Sequence, residues 1–203
     1  AGAVCHVPHR GDKAGGLRHH SRLTLHPGID LADETAVEDF YRTVPALWAS
    51  IHIAGGFAPG TVQTTPKSVL TDQIEINLVT CYLCCRSAVR ALTAVPGGGR
   101  IVNVAARPAL EWRSGAGMAA YTASKAAVAA LTVALAEEVA KNDVLVNAVA
   151  PSILDTEANR KAMPNADHAA WPKVEDVTQT ILFLASPDNK VTRGAIVPVY
   201  GHV

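Results

Sequence analysis

Short apolar, β-branched runs alternate with helix-length stretches along this chain, and that alternation limits the possible fold more than any other feature. Strand-type runs occupy residues 3–9, 23–31, 49–53, 100–104, 144–149 and 195–199. Asp33 and Glu34 open a helix that carries Val37, Phe40 and Tyr41 on one face. Residues 66–92 predict a long helix stopped by Pro96 and three glycines, with Ile74, Ile76, Leu78, Leu83 and Val89 covering more than one stripe. Further helices are predicted at 118–141 and 174–184. Strands joined through helices pair in parallel with helices on both faces, so the fold class is α/β, a doubly wound parallel sheet. No repeat or linker divides the chain, and 203 residues at 49% hydrophobic and 18% charged can bury one core. The reading is a single domain, 1–203.

Eighteen basic and eighteen acidic residues cancel, which argues against nucleic acid or a membrane surface as the main partner. The first 26 residues are locally basic, with Arg10, Lys13, Arg18, Arg22 and five histidines, read as a solvated face with Arg10 set apart. No apolar run approaches the roughly 20 residues of a membrane span and no signal-peptide core is present, so the expectation is a cytoplasmic protein. Cys81, Cys84 and Cys85 share one helical face and are read as core or interface packing, not as metal ligands. Arg10-Gly11-Asp12 is read as a chance tripeptide.

Ligands on doubly wound sheets bind at the carboxyl ends of the strands. Asp30, Ala54-Gly55, the segment after Val104 and Pro151 stand there, and so does the start of the helix carrying Tyr121-Thr122-Ala123-Ser124-Lys125. A Tyr and a Lys four apart point the same way from a helix. An ammonium beside a phenol favours phenolate, lowers its pKa from about 10 and equips it for proton transfer. Many helices carry such a pair by chance.

Taken together, these residues resemble the short-chain dehydrogenase/reductase family over essentially the whole chain. Tyr121 and Lys125 fall on its Tyr-x-x-x-Lys, Ala54-Gly55 on the end of its Asn-Asn-Ala-Gly loop, and Pro151 with Thr156 on its Pro-Gly-x-x-x-Thr region. The resemblance implies a Rossmann-like fold and NAD or NADP as cofactor. Tyr121 would be acid/base, Lys125 would tune it and hold the nicotinamide ribose, and Asn77 would support a relay water. It also implies cofactor contacts at Arg10, Asp30, Leu31, Ala54, Gly55, Pro151, Ile153 and Thr156, and a homodimer or homotetramer acting on a small molecule. Arg10 closing the first predicted strand favours NADP, because a guanidinium accepts a 2′-phosphate. Leu154-Asp155-Thr156, Asn159-Arg160-Lys161, Met163-Pro164 and Trp171 resemble the dihydropteridine reductase branch more narrowly.

Three departures accompany the resemblance. Ala105-Ala106 stand where the family places a catalytic serine, with Ser114 as an alternative hydroxyl or a solvated loop residue. Ser50-Ile51-His52-Ile53 lack the asparagine pair. The family's first strand and glycine-rich loop cannot be placed, since only 18 residues separate Gly11 from Asp30. The first predicted strand then pairs with the 49–53 strand, or another chain fills the gap, or the polypeptide carries a further piece. A non-catalytic scaffold with impaired dinucleotide binding is the rival expectation.

Overall fold

The computed structural model describes residues 2–11, 20–94 and 96–203. Lys13, Arg18, residues 12–16 of the glycine-containing stretch and the Asp of Arg10-Gly11-Asp12 lie outside them. The described elements are β1 (Cys5–His9), β2 (Leu23–Pro27), α1 (Glu34–Thr43), β3 (Ala49–His52), α2 (Lys67–Ile74), a π turn (Glu75–Val79), α3 (Thr80–Thr93), β4 (Gly99–Val104), α4 (Ala119–Glu138), β5 (Val144–Pro151), α5 (Glu157–Ala162), α6 (Val174–Ala185) and β6 (Ile196–Val199).

Every ladder between these strands is parallel, as the alternation predicted. The sheet, however, is in two pieces: β1 pairs with β2, and β3-β4-β5-β6 form a separate four-stranded sheet. Pairing of the first strand with the 49–53 strand is therefore not what the chain does among the described residues. The pieces are joined through α1 instead. Phe40 packs edge-on against His26 of β2 with ring centroids 5.2 Å apart, while the next residue, Tyr41, reaches Ser50 of β3 at 2.7 Å. Asp33 caps this helix by accepting from Ala36 N–H.

The predicted 66–92 helix is broken into three segments by the π turn, whose central residue, Asn77, is drawn toward the loop after β3. Such single π turns recur at functional sites. Alternation along β4 sends Ile101 to one side and Val102 to the other. Ile101 packs with Cys81, Cys85, Leu92, Val128 and Leu135 beneath α3 and α4, and Val102 with Val149, Ile181 and Leu184 beneath α6. Burial on both faces is what central parallel strands require.

One expectation needs correction. The 20 residues of α4 are long and apolar enough, by length and composition, to cross a membrane. Its alanines are interspersed with polar residues, so the helix contains no long continuous apolar run. In the structure the helix lies along β5 and across α2, burying Val128, Thr132, Leu135 and Ala136.

Candidate active site

Tyr121 stands in the first turn of α4, and the loop following β3 is fastened beside it by a hydrogen bond from Gly60 N–H to Gly117 O at 2.7 Å. Phe57 of that loop meets the Tyr121 ring edge-on, centroids 5.0 Å apart. One turn further, Lys125 is only 5% exposed and donates from Nζ to the Val104 carbonyl at the end of β4, at 2.8 Å. Burial lowers Lys125 to about 8, against a smaller opposing effect of Cys81.

The tyrosine does not follow the sequence expectation. Burial raises its pKa above the ordinary phenol value, and no lowering by Lys125 accompanies it. The ammonium faces a carbonyl, so desolvation of the phenol decides the direction. Tyr121 accordingly keeps its proton at neutral pH and is disposed to act as an acid.

Asn77 is almost fully buried and its amide is committed. Oδ1 accepts from Gly56 N–H at 2.9 Å, while Nδ2 donates to Gly56 O at 3.0 Å and to Ser124 Oγ at 3.1 Å. The side chain thus clamps the Ala54-Gly55-Gly56 loop to α4 with both Nδ2 hydrogens engaged, while Oδ1 keeps one lone pair beyond the bond from Gly56. A Cβ on Gly55 would come within 2.7 Å of Asn77 Oδ1 and 3.2 Å of Lys125 Nζ, so only glycine permits this approach.

Ala106 is buried and offers no hydroxyl. Ser114 is exposed and donates to Glu111 O, which is the solvated-loop alternative. Ser124 was missed by sequence reasoning: buried inside α4, it donates to Tyr121 O at 2.8 Å and accepts from Asn77, coupling helix and loop. A serine inside Tyr-x-x-x-Lys carries no signal of that role. The strand end lacking the asparagine pair is held instead by a buried network. His52 Nδ1 meets Asn103 Oδ1 at 2.8 Å, and His52 Nε2 meets Ser50 Oγ at 2.9 Å.

The remaining predicted contacts form two further groups. Arg10, just after β1, donates to Asp30 at 2.7 Å, and Asp30 also accepts from Ala32 N–H. Arg10 holds the Asp30 carboxyl below its usual range. The guanidinium expected to accept a phosphate is thus already engaged by a carboxylate. The Leu31 side chain packs with Val37, Leu83 and Cys84, leaving its backbone for any ligand. Pro151 closes β5, Ile153 is partly exposed, and Thr156 caps α5 by accepting from Asn159 N–H at 3.2 Å.

The group around Lys125 fits a nicotinamide ribose, because two ammonium N–H donors remain beyond the one given to Val104 and Gly55 leaves the approach open. Among the described residues no glycine-rich turn leads from β1 into a helix, so they supply no backbone cradle for a pyrophosphate.

The chain is similar to known proteins over most of its length. A family model described as Enoyl-(Acyl carrier protein) reductase matches residues 22–201. The chain is 29% identical over 185 residues to the (2S)-[(R)-hydroxy(phenyl)methyl]succinyl-CoA dehydrogenase subunit BbsD of Thauera aromatica, covering 85% of this chain and 73% of that one. It is 32% identical over 139 residues to the 3-oxoacyl-[acyl-carrier-protein] reductase FabG of Pseudomonas aeruginosa, covering 64% of this chain and 55% of that protein's length. The solved structure "ElxO with NADP Bound" superposes with a TM-score of 0.80 at 25% identity, over 89% of this chain and 77% of the other.

Proposed function

The chain belongs to the short-chain dehydrogenase/reductase family, and from that premise we propose that it is an NAD(P)-dependent oxidoreductase acting on a carbonyl, imine or alcohol carbon of a small molecule. The observation that carries the proposal is the junction of Tyr121, Lys125 and Asn77. A proton-bearing phenol, a buried ammonium and a clamped glycine loop meet at the carboxyl ends of β3 and β4. When bound, the dinucleotide would supply the hydride. Tyr121 Oη gives the proton to the substrate heteroatom in reduction and takes it back in oxidation. Lys125 Nζ, steadied by Val104 O, would donate to the nicotinamide ribose hydroxyls. Asn77 and Ser124 position the helix and the loop, and Phe57 shields one side of the phenol from water. The segment from Pro151, the last residue of β5, to Thr156 would cover the nicotinamide.

Ala106 makes Tyr121 the sole side chain assigned to the substrate oxygen. NADP is the preferred cofactor, through Arg10, and a solved relative holds NADP; sharing Arg10 with Asp30 makes that preference modest. Copies of the chain associate through α3 and α4. Residues 154–171 resemble the dihydropteridine reductase branch in sequence alone, and on that ground quinonoid dihydropterin belongs among the substrates tested.

The test is a substrate panel of ketones, β-ketoacyl thioesters, sugar alcohols and quinonoid dihydropterin, followed by NAD(P)H absorbance, for the wild type and Tyr121→Phe. Turnover lost in the variant supports the assignment, and turnover kept by it refutes the role of Tyr121. A calorimetric titration showing no dinucleotide binding to the wild type would favour the scaffold reading instead.

A further inference from the structure

Below the catalytic loop, on the side of the sheet covered by α3, three groups with metal-binding chemistry converge in the core: His52 at the end of β3, and Cys81 and Cys85 one helical turn apart on α3. All three are buried, and their ligand atoms lie within 4.8 Å of one another. His52, about thirty residues away in sequence, adds a ligand that the spacing of the two cysteines does not announce. We infer that these residues, with the side-chain oxygen of Asn103 on β4, form a binding site for one Zn2+ ion, independent of the dehydrogenase reading.

The distances match tetrahedral zinc at two of the measured edges. With Zn–S of about 2.3 Å and Zn–N or Zn–O of about 2.0–2.1 Å, a tetrahedron needs sulfur-to-nitrogen and sulfur-to-oxygen edges of about 3.6 Å. Cys85 Sγ lies 3.5 Å from His52 Nδ1 and 3.5 Å from Asn103 Oδ1. The third measured edge, His52 Nδ1 to Asn103 Oδ1, is a hydrogen bond of 2.8 Å and must open by about 0.6 Å to reach the tetrahedral value. Each non-sulfur ligand has an outer partner already in place. His52 Nε2 faces Ser50 Oγ at 2.9 Å and Tyr41 Oη at 3.3 Å, so it can donate there while Nδ1 takes the metal. Asn103 Nδ2 donates to Thr132 Oγ1 at 2.9 Å, which turns Oδ1 toward the cysteines.

Charge and surroundings favour the same ion. Two thiolates and Zn2+ sum to zero, so the buried centre carries no net charge, whereas a monovalent ion on the same pair would leave one. Binding releases two thiol protons to solvent. Ala88, Leu92, Ile101 and Val128 belong to the same buried cluster as the cysteines and exclude water from it. The ion would tie β3, β4 and α3 together beneath Ala54-Gly55. Cys84, on the neighbouring side of α3 with Val37 and Leu83, lies outside the set and serves as a control.

The protein purified without chelator from zinc-supplemented cells should carry one zinc per chain by plasma mass spectrometry. After stripping, titration with Co2+ should give a sulfur-to-cobalt charge-transfer band and visible bands of tetrahedral intensity, saturating at one ion per chain. Cys81→Ser, Cys85→Ser and His52→Ala should lose both, and Cys84→Ser should keep both, with far-ultraviolet circular dichroism reporting whether each variant is folded. Zinc content far below one per chain combined with no thiolate band in the wild type would overturn the inference without reference to any variant. So would equal metal content in Cys81→Ser, or loss of two hydrogens by a Cys81–Cys85 dithiol that takes up no metal.

Discussion

Asn77 grips Gly56 with both ends of its amide, accepting from the backbone N–H at 2.9 Å and donating to the carbonyl at 3.0 Å. A side chain on a helix thereby does for the strand-end loop what a neighbouring strand would do elsewhere. Asn77→Ala removes both bonds and leaves the partly buried Gly56 N–H and carbonyl without their side-chain partner, a cost of about 1–3 kcal/mol. The urea midpoint should fall accordingly and turnover should fall with it. Asn77→Asp keeps the acceptor but not the donor and should lie between the two.

Gly55 tolerates no side chain where it passes Asn77 and Lys125. Gly55→Ala forces a Cβ to within 2.7 Å of Asn77 Oδ1, an atom held by its own hydrogen bond. Overpacking of this kind costs about 1–3 kcal/mol. The expected result is a lower melting temperature and a larger fall in kcat than in dinucleotide affinity.

Lys125 makes stability depend on pH in a definite sense. Its folded pKa, about 8, lies below the ordinary lysine value of 10.5, so the unfolded chain binds the extra proton between those values and stability rises with pH across them. Below about pH 8 the penalty for burying the charge is complete, on the order of 3 kcal/mol. Lys125→Met removes it, offset in part by the lost bond to Val104 O. The variant should melt higher than the wild type at pH 7, with the gap closing toward pH 10, and should have no turnover.

Reduction should turn on the same titration, in the opposite direction. With Tyr121 raised by burial, the proton donor is in place throughout the neutral range, and the limb that limits rate is the lysine. The kcat/KM for reduction should be flat below about pH 8 and decline above it as Lys125 loses its charge. A rising limb there would assign the lysine a different part.

Cofactor preference should move with the pairing of Arg10. Asp30→Asn frees the guanidinium from a carboxylate at 2.7 Å, so NADPH affinity should rise while NADH affinity changes little. Calorimetric titration of both dinucleotides against wild type, Asp30→Asn and Arg10→Ala checks this. An equal shift for both cofactors would remove Arg10 from 2′-phosphate recognition.

Much of the fold could be read from local pattern, because helix faces and strand runs are written in nearest-neighbour chemistry. Asp33 announced the start of α1, and Pro96 with its glycines the end of α3. The π turn around Asn77 could not be read, since its partner is the Gly56 backbone 21 residues away. Arg10 and Asp30 were each read as facing a cofactor. Folding set them against each other across a separation of 20 residues.

The amino-acid order alone determined that the strands run parallel between helices and that Tyr121 and Lys125 share one side of α4, because both follow from short-range periodicity. Tertiary structure decided the division of the sheet into two pieces, the proton affinities of Tyr121 and Lys125, and the meeting of His52 with Cys81 and Cys85. Those outcomes rest on which distant segments exclude water from a group or place an atom within bonding distance, and no local spacing encodes either.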